Sequence, residues 1–112
     1  MWKGSTDRVD ISGLVMTPLH SYTDNRQLTD DTRPVDLVGS VLRCITTQAP
    51  PAGIAVWATL SCSLPVVGNL QFELAGRTLQ ASDVVGMPGR FLVELQLDPS
   101  CRAVVEAIRD LK

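Results

Sequence analysis

The chain has few aromatic residues and no excess of positive charge. Phenylalanine, tyrosine and tryptophan make up 4% of its 112 residues. Ten lysines and arginines are scattered along the chain against twelve aspartates and glutamates, and the formal net charge is −2. Single-stranded nucleic acid needs aromatic side chains for base stacking beside a basic groove, and a duplex needs a basic face. The composition therefore predicts that nucleic acid is not a partner.

The cysteine and histidine patterns of metal and redox sites are also missing. The three cysteines, Cys44, Cys62 and Cys101, are widely spaced and odd in number, which excludes a disulfide framework and a C-x-x-C pair. Neither glycine-rich phosphate-binding pattern is present, and the aspartates within residues 24–31 lack the order of a calcium-binding EF-hand loop. We therefore predict no metal, no cofactor, and the reduced thiols of a cytoplasmic protein.

No segment has the pattern of a signal peptide or a membrane span. The N-terminus lacks an apolar run, and residues 1–6 are predicted to be frayed. Residues 44–72 carry no charge and are long enough to cross a bilayer, but prolines and glycines divide them into hairpin-sized pieces. We expect residues 1–112 to form a single domain that does not associate with membranes.

The uncharged segment, residues 44–72, is the centre of the predicted fold. Within it, every second residue from Ile54 to Cys62 is apolar, and the residues between them are small or polar apart from Trp57. Such alternation predicts a strand with one face in the core. The opposite face presents the indole of Trp57 among small side chains.

Shorter apolar segments predict further strands on both sides. These strands are expected at residues 8–16, 35–46, 69–74, 77–85 and 90–97. Ala75-Gly76 is interpreted as the two-residue turn of a hairpin. Residues 17–34, which are rich in Asp, Asn, Thr and Pro, are predicted to be a long irregular connection.

The C-terminal segment predicts a helix that starts after Asp98, which suits an N-cap, and Pro99, which suits the first turn. Apolar residues then recur on one face at Cys101, Val104, Val105, Ile108 and Leu111. Together these elements predict an α+β fold, a mostly antiparallel five- to six-stranded β meander with one C-terminal helix packed on the sheet. A two-sheet β-sandwich closed by the helix is the alternative, because residues 35–46 are apolar on both faces.

The missing charge favours a protein-interaction function. Charged side chains on strands normally keep sheets from pairing with one another, and a tryptophan among small residues is typical of an interface. We interpret the chain as a non-enzymatic interaction or assembly domain that associates with itself, or with another protein, through low-charge strands. The predicted contact residues are Trp57, Ala55, Thr59, Ser61 and Leu92.

Two other functions remain open. A protein that binds a small apolar ligand would hold it between sheet and helix, in a pocket lined by Phe72, Phe91, Ile108 and Leu111. A small enzyme would have to use Cys101, near the start of its helix, or His20, in the long connection. Cys101 also belongs to the apolar helix face, and His20 has no catalytic partner close in sequence. Of the three functions considered, interaction domain, apolar-ligand binder and enzyme, the enzyme is therefore the least favoured.

Overall fold

The computed structural model describes residues 8–111, which form one antiparallel sheet and one helix. The strands are β1 (Arg8–Asp10), β2 (Val15–Met16), β3 (His20–Ser21), β4 (Thr32–Val38), β5 (Val41–Thr46), β6 (Ala55–Leu64), β7 (Gly68–Asp83) and β8 (Phe91–Leu97). A 3-10 turn (Pro99–Cys101) leads into helix α1 (Arg102–Asp110). The predicted α+β class, with a mostly antiparallel sheet and a C-terminal helix packed on it, is confirmed. The predicted frayed terminus, residues 1–6, lies outside the described residues.

The sheet has the strand order β1-β4-β5-β8-β7-β6-β2, and β3 lies beside β2 on the outer edge of β6. The chain departs from a simple meander, because β1 pairs with β4, β2 and β3 pair with β6, and β5 pairs with β8. The strands at the two ends of this order, β1 and β2, are joined by only residues 11–14. The sheet therefore curls until its ends approach each other, and β2 contacts β4. Since the described strands form one sheet, the two-sheet sandwich is not the architecture.

The core fills the inside of the curled sheet and is closed at one end by the helix. The fully buried core side chains include Leu37, Leu42, Val56, Leu60, Val93, Leu97 and Ile108. Helix α1 contacts the turn between β4 and β5 through Arg109, whose Nη2 donates to Gly39 O at 3.3 Å. At the end of β8, Leu97 N donates to Ser40 O of the same turn at 2.9 Å. Val105 and Ile108 point into the core, whereas Leu111 is 37% exposed.

The prediction of one strand at residues 8–16 is wrong, because the chain turns in the middle of this segment. The carboxylate of Asp10 accepts hydrogen bonds from the backbone N–H of Ser12 at 2.9 Å and from its hydroxyl at 2.7 Å. Leu14 N then donates to Ile11 O at 3.0 Å. An aspartate that bonds to the backbone two residues on favours a turn over a continuing strand. As a result β1 and β2 lie at opposite ends of the sheet.

The strand predicted at residues 35–46 is in fact the hairpin of β4 and β5. Gly39 has a φ of 61°, which glycine adopts without steric cost, and the chain reverses at Gly39 and Ser40. Leu37 before the turn and Leu42 after it both face the core. The core-facing leucine lies at an odd position before the turn and at an even position after it. The segment therefore resembles, in sequence, a single strand that is apolar on both faces.

The two strands predicted at residues 69–74 and 77–85 are one strand, β7, and the hairpin turn predicted at Ala75-Gly76 is wrong. Gly76 lies inside this strand, opposite Val56 on β6 and Leu97 on β8. A bulge between Thr78 and Gln80 then shifts the alternation by one residue. Leu79, the extra residue of this bulge, is 44% exposed.

Residues 17–34 contain ordered elements. The short strand β3 lies within them, Gln27 bridges back to His20, and β4 begins at Thr32. Thr29 is fully buried, where its hydroxyl accepts a hydrogen bond from Leu19 N at 3.0 Å and shares one with the hydroxyl of Thr32 at 2.7 Å. These buried hydrogen bonds hold the segment against the sheet.

Candidate functional site

Trp57 lies on the outer face of β6, opposite His20 on β3 and Ala75 on β7. The predicted contact residues Ala55, Thr59 and Ser61 share this face, since they alternate with the buried Val56, Ala58 and Leu60. Leu92 does not join them. It lies on β8, opposite Ile45 on β5 and Ser82 on β7, and Ser82 is seven residues along β7 from Ala75.

The segment from His20 to Gln27 holds the indole of Trp57 in place. The ring of His20 stacks on it with centroids 4.5 Å apart and an interplanar angle of 15°. Asn25, at a φ of 59°, accepts a hydrogen bond through its Oδ1 from Trp57 Nε1 at 2.9 Å. Trp57 is thus half-buried in a single chain, with its one polar atom satisfied.

A cleft of about 520 Å³ lies beside Trp57, next to β7 and the 3-10 turn. It is lined by Tyr22, Trp57, Glu73, Leu74, Ala75, Ser100 and Cys101. Ala75 lies opposite Trp57 in the pairing of β6 and β7, and its small side chain leaves the space of the cleft unfilled. The 3-10 turn is held beside it, since Asp98 N donates to Ala75 O at 2.9 Å.

Among residues 8–111, Glu73 is the one acidic residue that lines this cleft, and no basic residue does. Its side chain is exposed and makes no salt bridge within residues 8–111. The aromatic side chains of Tyr22 and Trp57 form another part of the lining, and Tyr22 is 62% exposed. The cleft therefore combines two aromatic rings with one unpaired carboxylate.

The two residues considered for catalysis are not brought together as a nucleophile and base. Cys101 is 4% exposed, and its sulfur lies 3.4 Å from Ala75 N and 3.5 Å from Ala75 O. His20 stacks on Trp57 and does not line the cleft. A reactive thiol requires exposure and an activating neighbour, and the geometry around Cys101 provides neither.

Thiol reactivity gives a direct measurement of this arrangement. Cys44 is fully buried, and burial raises the pKa of its thiol to about 12. Because Cys101 is buried as well and Cys62 is half-buried, we expect a single thiol of the native protein, Cys62, to react promptly with a disulfide reagent. All three should react after unfolding in guanidinium. A prompt reaction that persists in Cys62→Ser would instead reveal an accessible Cys101 and favour the enzymatic alternative.

The pocket predicted between sheet and helix does not gather its four residues. Phe72 lies on β7 opposite Leu60, and Phe91 lies opposite Asp83 at the other end of that strand. Ile108 is fully buried in the core, whereas Leu111 is partly exposed at the end of the helix. These four residues line no part of the 520 Å³ cleft.

The outer half of the hairpin of β6 and β7, residues 61–72, extends beyond its neighbours in the sheet, and we call it the distal hairpin. On one side, β2 pairs only as far as Ser61, and on the other, β8 pairs only as far as Gly76. At the tip, Val66 is 96% exposed and Val67 is 66% exposed. No residue of the distal hairpin is charged.

The free edge of the distal hairpin exposes backbone groups of β7. Ala75 points its N–H and C=O away from β6, where they bond with Cys101 and Asp98. In an antiparallel ladder this orientation recurs at every second residue, and β6 and β7 pair without a register shift here. Asn69, Gln71 and Glu73 therefore point their backbone groups outward as well. Within residues 8–111, no other strand pairs with this edge.

In comparisons with known proteins, no family model, curated protein or solved structure matches the chain. In the part of the chain from residue 8 to residue 111, no helix has the length and apolar character needed to span a membrane. Nor do three metal-ligating side chains of the His, Cys, Asp or Glu type come together within those residues.

Proposed function

We propose that the protein is a non-enzymatic interaction domain that associates with a second copy of itself through the free edge of the distal hairpin. The observation that carries this proposal is the row of outward-facing backbone groups at Asn69, Gln71 and Glu73. An unpaired strand edge is a template for pairing with another chain, and charged side chains along it normally oppose such pairing. Here Glu73 is the single charged residue, and it lies at the end of the row.

A two-fold axis through Gln71 uses the whole of this edge. Gln71 then pairs with its own copy, and Asn69 of each chain pairs with Glu73 of the other. Each of the three residues offers one N–H and one C=O, so the two chains form six backbone hydrogen bonds across the axis. Pairing stops at Ala75, whose backbone groups are already bonded within the chain.

The charges and apolar side chains fit the same register. The two Glu73 carboxylates lie at opposite ends of the ladder, each across from a neutral Asn69, so they do not repel each other closely. Val67 comes to lie opposite Ala75 of the second copy, beside its 3-10 turn. Association therefore covers the exposed valine at the tip, which gives an apolar contribution to the hydrogen-bonded edge.

This edge replaces Trp57 as the proposed centre of the interface. Trp57 already has a stacking partner in His20 and a hydrogen-bond acceptor in Asn25. Within the low-charge segment, the distal hairpin forms the proposed contact. We place the association in the cytoplasm, where the three thiols, unpaired in this structure, stay reduced.

Replacing Gln71 with proline tests the proposal. Proline removes the outward N–H and leaves the bonds between β6 and β7 intact, and strand edges tolerate it. In the pair, two of the six hydrogen bonds are lost and the ring crowds the axis. We expect the dimer dissociation constant to rise at least about tenfold, equivalent to about 1.4 kcal/mol. Sedimentation velocity at protein concentrations up to about 100 µM, the range of weak dimers, measures it.

Gln71→Thr is the matched control, because it changes the same side chain and keeps the N–H. We expect this variant to associate as the wild type does, and both variants to give the wild-type far-ultraviolet circular dichroism spectrum. A wild-type protein that remains monomeric throughout the concentration range would overturn the proposal. So would a Gln71→Pro variant that dimerises as strongly as Gln71→Thr.

A further inference from the structure

We infer that the cleft between Trp57 and the 3-10 turn binds a guanidinium group, such as the side chain of an arginine in a peptide. The inference concerns the outer face of the sheet. It does not require self-association, because residues of a single chain form the cleft, although Glu73, Ala75 and the 3-10 turn also border the proposed edge contact. It rests on the chemistry of the lining, on the fixed position of the indole and on the size of the cleft.

The lining favours a planar organic cation. The rings of Tyr22 and Trp57 attract cations through their π-electrons, and arginine is the cation most often found on aromatic rings in proteins. The carboxylate of Glu73 supplies the opposite charge, and a carboxylate can accept two parallel hydrogen bonds from one guanidinium. In the part of the chain that the structure describes, no lysine, arginine or histidine lines the cleft to repel such a ligand.

The cleft is also preorganised. Trp57 is held by the stacked ring of His20 and by the hydrogen bond to Asn25, so the ligand does not have to order the indole. On the opposite side, the 3-10 turn is fixed by the bonds of Asp98 and Cys101 to the backbone of Ala75. The volume of about 520 Å³ lies within the range of small-molecule sites and exceeds the needs of one side chain.

A titration followed by nuclear magnetic resonance tests the inference. In a Trp2→Phe background, the indole N–H of Trp57 gives the one tryptophan indole signal of the chain. N-acetyl-L-argininamide should shift this signal with saturation. N-acetyl-L-citrullinamide, which has nearly the same shape without the charge, should bind about tenfold more weakly, since the ion pair and the cation–π contact are both lost.

Two variants divide the binding between the carboxylate and the rings. Glu73→Gln should weaken argininamide binding about tenfold, and Tyr22→Ala about threefold, because an exposed cation–π contact contributes less than a charge-assisted hydrogen bond. Tyr22 lies off β7, so a loss of binding in Tyr22→Ala is not a consequence of altered association. Asp83→Asn, which removes an exposed carboxylate at the other end of β7, should bind as the wild type does.

Agmatine and tetramethylammonium complete the experiment. Binding of agmatine as strong as that of argininamide supports the guanidinium site and assigns it to a free metabolite. The inference is overturned if citrullinamide binds as tightly as argininamide, if tetramethylammonium binds more tightly than either guanidinium ligand, or if Glu73→Gln leaves the affinity unchanged.

Discussion

Replacing Gly76 with alanine is expected to lower the free energy of unfolding by about 3 kcal/mol, because the backbones of β7 and β8 lie too close together at Gly76 to leave space for a methyl group. A Cβ atom at Gly76 would overlap the carbonyl oxygen of Gln96 and lie 3.0 Å from Leu97 Cα. Both are backbone atoms of β8, which cannot turn away as a side chain can. The two strands would have to separate at the centre of the sheet.

Thermal unfolding measures this effect. A loss of about 3 kcal/mol should lower the melting temperature by roughly 10 °C or more for a chain of this length. Gly13→Ala is the matched control, because Gly13 is exposed and an added Cβ would meet nothing within 4 Å. We expect that variant to change the stability by less than about 0.5 kcal/mol. Equal melting temperatures for the two variants would contradict the close approach of β8 to Gly76.

Gly76 also shows why the strand boundaries were hard to predict. A glycine between two alternating segments is typical of a hairpin turn, and equally of a strand to which another backbone comes close. The difference lies in β8, some twenty residues later in the chain. A similar difficulty arises at Gly39, where glycine does make the turn, inside a segment that resembles one strand. Local patterns therefore predicted the presence of strands well and their limits poorly.

In the centre of residues 54–62, the alternation of buried and outward-facing side chains was predicted correctly. Val56, Ala58 and Leu60 are buried because β6 runs without a bulge between β7 on one side and β2 and β3 on the other. A regular strand with neighbours on both sides keeps the period of its side chains. Where β7 contains a bulge, between Thr78 and Gln80, this period is interrupted, and the alternation in the sequence no longer predicts which side chains face the core.

The environment of Trp57 and the free edge of β7 had no local signal. The indole bonds to Asn25, which is distant in sequence, and the hydrogen bond depends on the left-handed backbone of that asparagine. The edge is free because β8 ends before the distal hairpin does, and the length of a neighbouring strand is not encoded in the strand it pairs with. The missing charge of the segment indicated association, but it did not indicate which edge.

Asp36 is the second position where a large effect is expected, and its environment was also invisible in the sequence. Leu37 points into the core, so Asp36 points to the outer face of β4, yet its side chain is fully buried there. Arg43 donates to its carboxylate from Nε at 2.7 Å and from Nη2 at 2.5 Å, and Arg8 donates from Nε at 2.6 Å. Two guanidinium groups thus cover one carboxylate.

Replacing Asp36 with asparagine is expected to lower the free energy of unfolding at neutral pH by about 2 kcal/mol, since the buried carboxylate loses its charge-assisted hydrogen bonds to Arg43 and Arg8, whose side chains are partly exposed. The amide also turns N–H donors toward the guanidinium donors of Arg43. Glu106→Gln is the control, because it breaks an ion pair with Arg102 in which both side chains are well exposed. Such a pair contributes less than about 1 kcal/mol, so this variant should unfold close to the wild type.

The pH dependence of stability distinguishes loss of this ion pair from a simple packing defect. Hydrogen bonds from Arg43, and next from Arg8, hold the pKa of Asp36 below its ordinary value of 3.8. A carboxylate with a lowered pKa in the folded state contributes stability above its unfolded pKa and loses it as the pH falls through the folded pKa. The stability difference between wild type and Asp36→Asn should therefore be constant from neutral pH to about pH 5 and shrink below about pH 4. Urea unfolding at several pH values measures this difference, and a difference that stays constant down to pH 2 would mean that the charge of Asp36 does not stabilise the fold.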